Sequence, residues 1–189
     1  RFTHARCMRQ DDIALQFSQI VICDAHRGEL SESRIDAIDW LTFGDLDLNG
    51  ERLADNTSII LDSQNQPILA YVTSQTSPDA QLLVKHWDGS TWQEMGSGSL
   101  NHDPSATNTF PSAPSLVLDS SGNPVVAWTE RNENSVYTIY VKRWTGTSWE
   151  AVGPGFNHDP TNVGGVAFNP SLGLDEAGNP VVAWSEIVA

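Results

Sequence analysis

Basic residues are scarce in this sequence: 10 Lys and Arg stand against 24 Asp and Glu, for a formal net charge of −14. That balance opposes nucleic acid and anionic lipid, because both reward clustered cations. Long apolar runs are missing too, and none approaches the ~20 residues that span a bilayer, so membrane insertion is not expected. Cysteine is limited to Cys7 and Cys23. Two cysteines are too few for a disulfide framework and do not fix the compartment. They form one disulfide if the surroundings oxidise them, or remain two buried thiols in apolar, strand-like settings. His26 lies three residues after Cys23, but further metal ligands at usable spacing are lacking. The phosphate-binding glycine loop, GxSxG and HExxH are all absent.

What the sequence does contain is itself, several times over. LDSQNQPILAY begins at 61, LDSSGNPVVAW at 118 and LDEAGNPVVAW at 174, offsets of 57 and 56 residues. VKHWDGSTWQEMGSGSLNHDP at 84–104 returns as VKRWTGTSWEAVGPGFNHDP at 141–160, and APSLVLD at 113–119 as NPSLGLD at 169–175. A period of this size is one supersecondary unit copied along the chain. Each copy carries four short runs rich in Val, Ile, Trp and Tyr, typified by PSLVL, PVVAW, YVKRW and SWEAVG. Gly, Asn, Asp, Ser and Pro separate them, which predicts four strands and no helix.

The separators have turn chemistry. Asp119 through Pro124 offers an Asx acceptor, a Gly for positive φ and a Pro able to open a strand. Asp62, Asp119 and Asp175 are therefore read as turn formers. Between the third and fourth strands, Gly146 takes the first central position of a two-residue hairpin, as a type II′ turn requires. That register sets Trp144 opposite Trp149, and Gly89 sets Trp87 opposite Trp92; such an aromatic pair contributes up to about 1 kcal/mol.

Residues 3–49 read as a degenerate first copy, with Trp40 aligned to Trp92 and Phe17 to Trp128. Complete copies occupy 57–112 and 113–168, and 169–189 supplies the first two strands of another. The chain opens on Arg1 and halts half-way through a unit, leaving sheet edges to be covered. The expectation is a trimmed or partial chain completed by further blades, by its own first strands or by another subunit.

The series PSLxLDxxGNPVVAWxE, YVKRWxGxSW and VGxGxN resembles the repeats of secreted or surface-attached bacterial proteins whose units are β-propeller blades of the sialidase-like or Kelch-like kind. The resemblance is strong over 57–189 and weak over 1–56. It implies an all-β, propeller-like array of four-stranded antiparallel blades, partial or open, with PSLVL innermost and Leu118 and Leu174 between blades. It also implies an extracellular or cell-surface location. A sialidase-type site would need several central Arg residues, an acid and a Tyr–Glu pair. The expected innermost strands carry Arg6 alone, so that site does not carry over, and enzymatic activity is not expected unless other blades supply it.

Candidate binding residues emerge from the repeats. Asn101, His102 and Asp103, with Asn157, His158 and Asp159, place hydrogen-bonding groups on a loop after the fourth strand, either as a sugar or metal contact or as an Asx turn before Pro. Trp87, Trp92, Trp144 and Trp149 are either inter-blade core or sugar-stacking platforms; repetition favours core. Asp45, Asp47 and Asn49 match the opening of a calcium loop, although Asn56 stands where a bidentate Glu belongs and no helices flank it. Asn56-Thr57-Ser58 is a glycosylation sequon. Calcium is the one cofactor the residues suggest, and only on that loop. Copied groups are spread over equivalent places, whereas catalysis needs unlike groups at one point. The expected role is a non-enzymatic binding or scaffold module presenting loops to glycan or protein; a repeat lectin, and a piece of a polysaccharide-degrading propeller, are the alternatives.

Overall fold

The structure, a computed structural model, describes residues 56–73, 80–159, 161 and 165–187. The degenerate copy at 3–49, Cys7, Cys23 and the calcium candidates Asp45, Asp47 and Asn49 lie outside the described residues. Within them every regular element is a strand. The first complete copy gives β1 (Thr57–Leu61), β2 (Pro67–Val72), β3 (Leu82–Trp87) and β4 (Trp92–Glu94). The second gives β5 (Ser112–Leu118), β6 (Pro124–Arg131), β7 (Tyr137–Trp144) and β8 (Trp149–Ala151), with β9 (Val166–Leu174) and β10 (Pro180–Ile187) after them. These are the four runs expected of each copy, in order.

Each copy is an antiparallel meander, β1-β2-β3-β4 and β5-β6-β7-β8. Instead of standing alone as expected, the second copy is joined to β9-β10 by one parallel pair, Tyr137 with Val166, which makes a mixed six-stranded sheet. The contact joins the first residue of β7 to the first residue of β9. First strands also meet directly. The Leu116 N–H donates to Ser58 Oγ at 3.2 Å, and the Leu172 N–H to Ser115 Oγ at 3.1 Å, the same bond one repeat later.

The turns form as their residues dictate. Asp119 Oδ1 accepts the N–H groups of Ser121 and Asn123, each at 2.9 Å, while Gly122 takes φ +82°. Asp62 and Asp175 do the same for their own turns. In the first copy Asn65 occupies the glycine's place at φ +60°, since Asn tolerates the left-handed region best after Gly. The construction also closes β6 to β7, where Asn132 Oδ1 accepts from Asn134 and Val136 and Ser135 carries φ +61°. In the hairpins Trp87 faces Trp92 and Trp144 faces Trp149, with ring centroids 5.7 and 5.4 Å apart.

The core explains the PVVAW run. Successive side chains of a strand point to opposite faces. Val126 and Trp128 join Ile68, Val72, Leu82 and Val84 of the preceding copy, and Leu118 packs against that cluster. Val125 and Ala127 join Val141 and Leu172 on the other side, with Leu174 and Val182 beside them. A strand covered on both faces reads as a continuous apolar stretch. Full burial of each large apolar side chain contributes about 1.5–3 kcal/mol before ordering costs. β10 shows the contrast: Val181 and Trp184, the counterparts of Val125 and Trp128, are 56% and 38% exposed.

Glycine sets one close approach. A Cβ at Gly155, where φ is +110°, would lie 2.9 Å from both Thr138 Cγ2 and Tyr140 Cε1, whereas at Gly146, φ +96°, it would meet nothing within 4 Å. Both alanine variants suffer backbone strain. Gly155→Ala is expected to lose about 1–3 kcal/mol more than Gly146→Ala in urea unfolding, because only it must also move packed atoms.

Candidate functional site

The repeated loops form joints between copies at 101–104 and at 157–159. Asn101 is buried; its amide donates to Ala80 O at 2.9 Å and Thr109 Oγ1 at 3.1 Å, and its Oδ1 accepts the Leu82 N–H at 2.9 Å. The neighbouring copy grips the backbone around it. The His102 N–H donates to Glu130 Oε2 at 2.9 Å, and Lys142 Nζ donates to Leu100 O at 2.9 Å and Asn101 O at 3.2 Å. The His102 ring stacks on Tyr140 with centroids 4.1 Å apart. Asp103 accepts from the Ser105 N–H at 2.9 Å and its hydroxyl at 2.6 Å, the Asx turn that the sequence suggests.

Glu130 is the centre of this joint. It is wholly buried, and the Trp128 indole donates to the same Oε2 at 2.6 Å, while Oε1 has no hydrogen-bond partner. Burial raises the Glu130 pKa, against the pull of the Trp128 indole, the His102 N–H and the Thr109 hydroxyl. Tyr140 is pushed up to about 12 by burial and by the charges of Glu130 and Glu133. Burial draws Lys142 down, opposed by Glu130. The next copy repeats the arrangement in the open: Trp184 Nε1 donates to Glu186 Oε2 at 2.9 Å and the His158 N–H to Glu186 Oε1 at 2.8 Å. Asn157 donates to Tyr137 O at 2.7 Å, and Asp159 accepts from the Thr161 N–H and hydroxyl.

The tryptophans also join copies. Trp149 Nε1 donates to Met95 O at 2.5 Å, and its ring edge would lie 3.0 Å from a Cβ on Gly96. Trp144 belongs to the same contact, packing against Trp149 and lying 3.6 Å from that Cβ position. Trp87 and Trp92 form the equivalent ribbon pair in the first copy.

A cleft of about 410 Å³ opens where the first strands begin. Asn56, Ala113 and Asn169 line it, and the offsets of 57 and 56 make them one position in three copies. One position of three copies therefore lines a single cleft. Local backbone creates the space. β5 and β9 each carry an extra residue against their partner, with φ +49° at Ala113 and φ +53° at Asn169. Such bulges bend a strand and re-aim its side chains. Ser112 and Thr129 supply hydroxyls to the lining, and Phe110, Tyr137 and Phe168 supply rings. Thr129 is 2% exposed and its Oγ1 has no hydrogen-bond partner.

Arg131 stands behind two of those rings. Its guanidinium carbon lies 5.2 Å from the Phe110 centroid and 4.8 Å from that of Tyr137. The Nε is buried without a hydrogen-bond partner. Phe110, Tyr137 and Arg131 escaped the sequence reading because they are not repeated: the matching residues are Val166 for Phe110, Ala80 for Tyr137 and Ile187 for Arg131. Departure from the repeat was the available signal. Among the described residues, no group of three or more His, Cys, Asp or Glu has the geometry to hold a metal. Among them too, no helix is long and apolar enough to cross a membrane.

No protein-family model and no curated protein sequence matches the chain. Among solved structures, it is similar to an endo-arabinase from Bacteroides thetaiotaomicron, with 14% identity, 77% of this chain and 56% of that chain covered, and a TM-score of 0.47. It is also similar to a fucose lectin from Kordia zhangzhouensis in complex with methyl-fucoside, with 18% identity, coverage of 67% and 80%, and a TM-score of 0.43. A protein of unknown function from Dyadobacter fermentans aligns with 16% identity, coverage of 69% and 45%, and a TM-score of 0.44. This chain thus spans little more than half the length of the arabinase. With every TM-score below 0.5, none of the three assigns an activity here.

Glu130 generates a prediction with a defined sign. An acid whose folded pKa is raised stabilises most below its unfolded pKa, and that contribution is lost as pH rises through the folded value. Glu130→Gln should therefore gain stability relative to wild type as pH is raised from the ordinary 4.5 upward. Glu130→Ala, which strands the buried Trp128 indole N–H and the His102 N–H, should cost about 2–4 kcal/mol near pH 4, and less as pH rises, by the same increment that Glu130→Gln gains. Urea unfolding across pH 4–8 reads both.

Proposed function

We propose that this chain is a non-catalytic binding module of a propeller-like repeat array, displayed outside the cell, and that it holds a carbohydrate in the cleft between its first strands. The lining chemistry carries the reading: amides from Asn56 and Asn169, hydroxyls from Ser112 and Thr129, and rings from Phe110, Tyr137 and Phe168. A sugar presents hydroxyls on its rim and C–H groups on its faces, which suits amides and hydroxyls set among aromatic walls. Tyr137 is the one titratable side chain of that lining, and acid–base hydrolysis needs a positioned pair. Side-by-side stacking of blades is supported by the recurring Ser–Leu bond between first strands and by the seating of Trp149 on the preceding copy. The resemblance of the repeats to secreted propeller blades supports the location.

The loops at 101–104 and 157–159 are assigned to holding the array together, because their amides, carboxylates and backbone groups are engaged within it. Glycan-array binding and calorimetry with the whole chain test this division. Tyr137→Ala should weaken sugar binding up to about tenfold, the worth of one aromatic contact. The double variant His102→Ala, His158→Ala should bind as wild type does. Loss of binding in the histidine variant, with Tyr137→Ala unaffected, would move the site to the loops; hydrolysis of a polysaccharide by the purified chain would contradict a non-catalytic role.

A further inference from the structure

We infer that the free edge of β10 is a docking site for an extended, cationic strand that carries an aromatic residue two places before a lysine. In both complete copies the second strand pairs on its far side with a third, β2 with β3 and β6 with β7. β10 is the second strand of its own copy, and among the described residues it pairs with β9 alone. A strand edge leaves alternate N–H and C=O groups unpaired, and an extended peptide satisfies them by adding itself to the sheet. No residue of β10 lines the cleft, so this site and the sugar site stand or fall separately.

The preceding copy shows what fits this edge. Tyr140 lies opposite Trp128, and Lys142 opposite Val126. The Tyr140 ring rests on His102 and on Trp128, the latter with centroids 5.8 Å apart. Lys142 Nζ stands 5.8 Å from the Trp128 ring and holds the carbonyls of Leu100 and Asn101. Lys85 of β3 takes the same place opposite Leu69, so a lysine at this register belongs to the third strand of each complete copy. β10 carries the receiving half of this contact already assembled. Trp184 and His158 replace Trp128 and His102, are bonded to Glu186 as those are to Glu130, and are exposed. Because these groups are fixed in advance, an incoming ring meets a platform whose ordering cost has already been met. Charge agrees with a cationic partner. After Arg143 the sequence has no Lys or Arg, while Glu150, Asp159, Asp175, Glu176 and Glu186 follow it.

The probe is a capped, fluorescently labelled peptide with the sequence of Tyr137–Trp144, titrated into the whole chain and followed by anisotropy. It should bind one to one and slow hydrogen exchange in β10 while leaving β1, another edge strand, unchanged. Tyr140→Ala in the peptide should weaken binding up to about tenfold, the worth of one aromatic contact. Lys142→Glu in the peptide should weaken it about tenfold or more, by a ratio that shrinks as salt rises. In the chain variant Trp184→Ala, shown to be folded by its unfolding curve, the parent and Tyr140→Ala peptides should lose most of their difference, because the ring they differ by has lost its platform. Absence of binding, or equal binding by a scrambled peptide of the same composition, would overturn the site. Protection of β10 that appears in the chain alone and rises with its concentration would make a second copy the occupant and overturn the one named here.

Discussion

Everything in this fold depends on one copy closing against the next, and a buried carboxylate makes that closure specific. Glu130 accepts from the indole of its own strand and from the backbone of His102 in the preceding copy. Removing a carboxylate from water is costly, and the two donors offset part of that cost only when both are in place. Apolar packing would hold two meanders together in many relative positions. The shared acceptor, with Lys142 holding the carbonyls of Leu100 and Asn101, selects one of them.

The same principle accounts for the gradient of burial along the chain. β6 has a copy on either side and is buried almost throughout, and Trp128 is fully enclosed. β10 has the same sequence character, yet most of it is exposed, and its Trp–Glu bond persists at the surface. Local sequence therefore makes the strand and its turn, while the neighbouring copy makes it core. A repeat array is stable because each unit supplies a face that the next unit covers.

This division also sets what was legible in the sequence. Strand order, the Asx turns at Asp62, Asp119 and Asp175, and the tryptophan pairing are short-range consequences of residue type and spacing, and all were readable. So was the Asx turn at Asp103. The joint was not, because it links Glu130 to a backbone group 28 residues earlier in the chain. Nor was the cleft. Its walls come from strand bulges, whose positions depend on cross-strand register, and from Phe110, Tyr137 and Arg131, which a search for repeated motifs passes over. The single parallel contact between β7 and β9 has no local signature either.

The joint and the cleft are linked through β6. Glu130 fixes its end against the preceding copy; Thr129 beside it lines the cleft and Arg131 stacks on two of the cleft's rings, so an ordered joint is a condition for an ordered site. Hydrogen exchange at the His102 amide tests the joint most directly. The surrounding loop is exposed, and an ordinary loop amide there would exchange rapidly. The account predicts protection of the His102 amide comparable to that of β6, lost in Glu130→Ala; exchange at the rate of its exposed loop neighbours in the wild-type chain would contradict it.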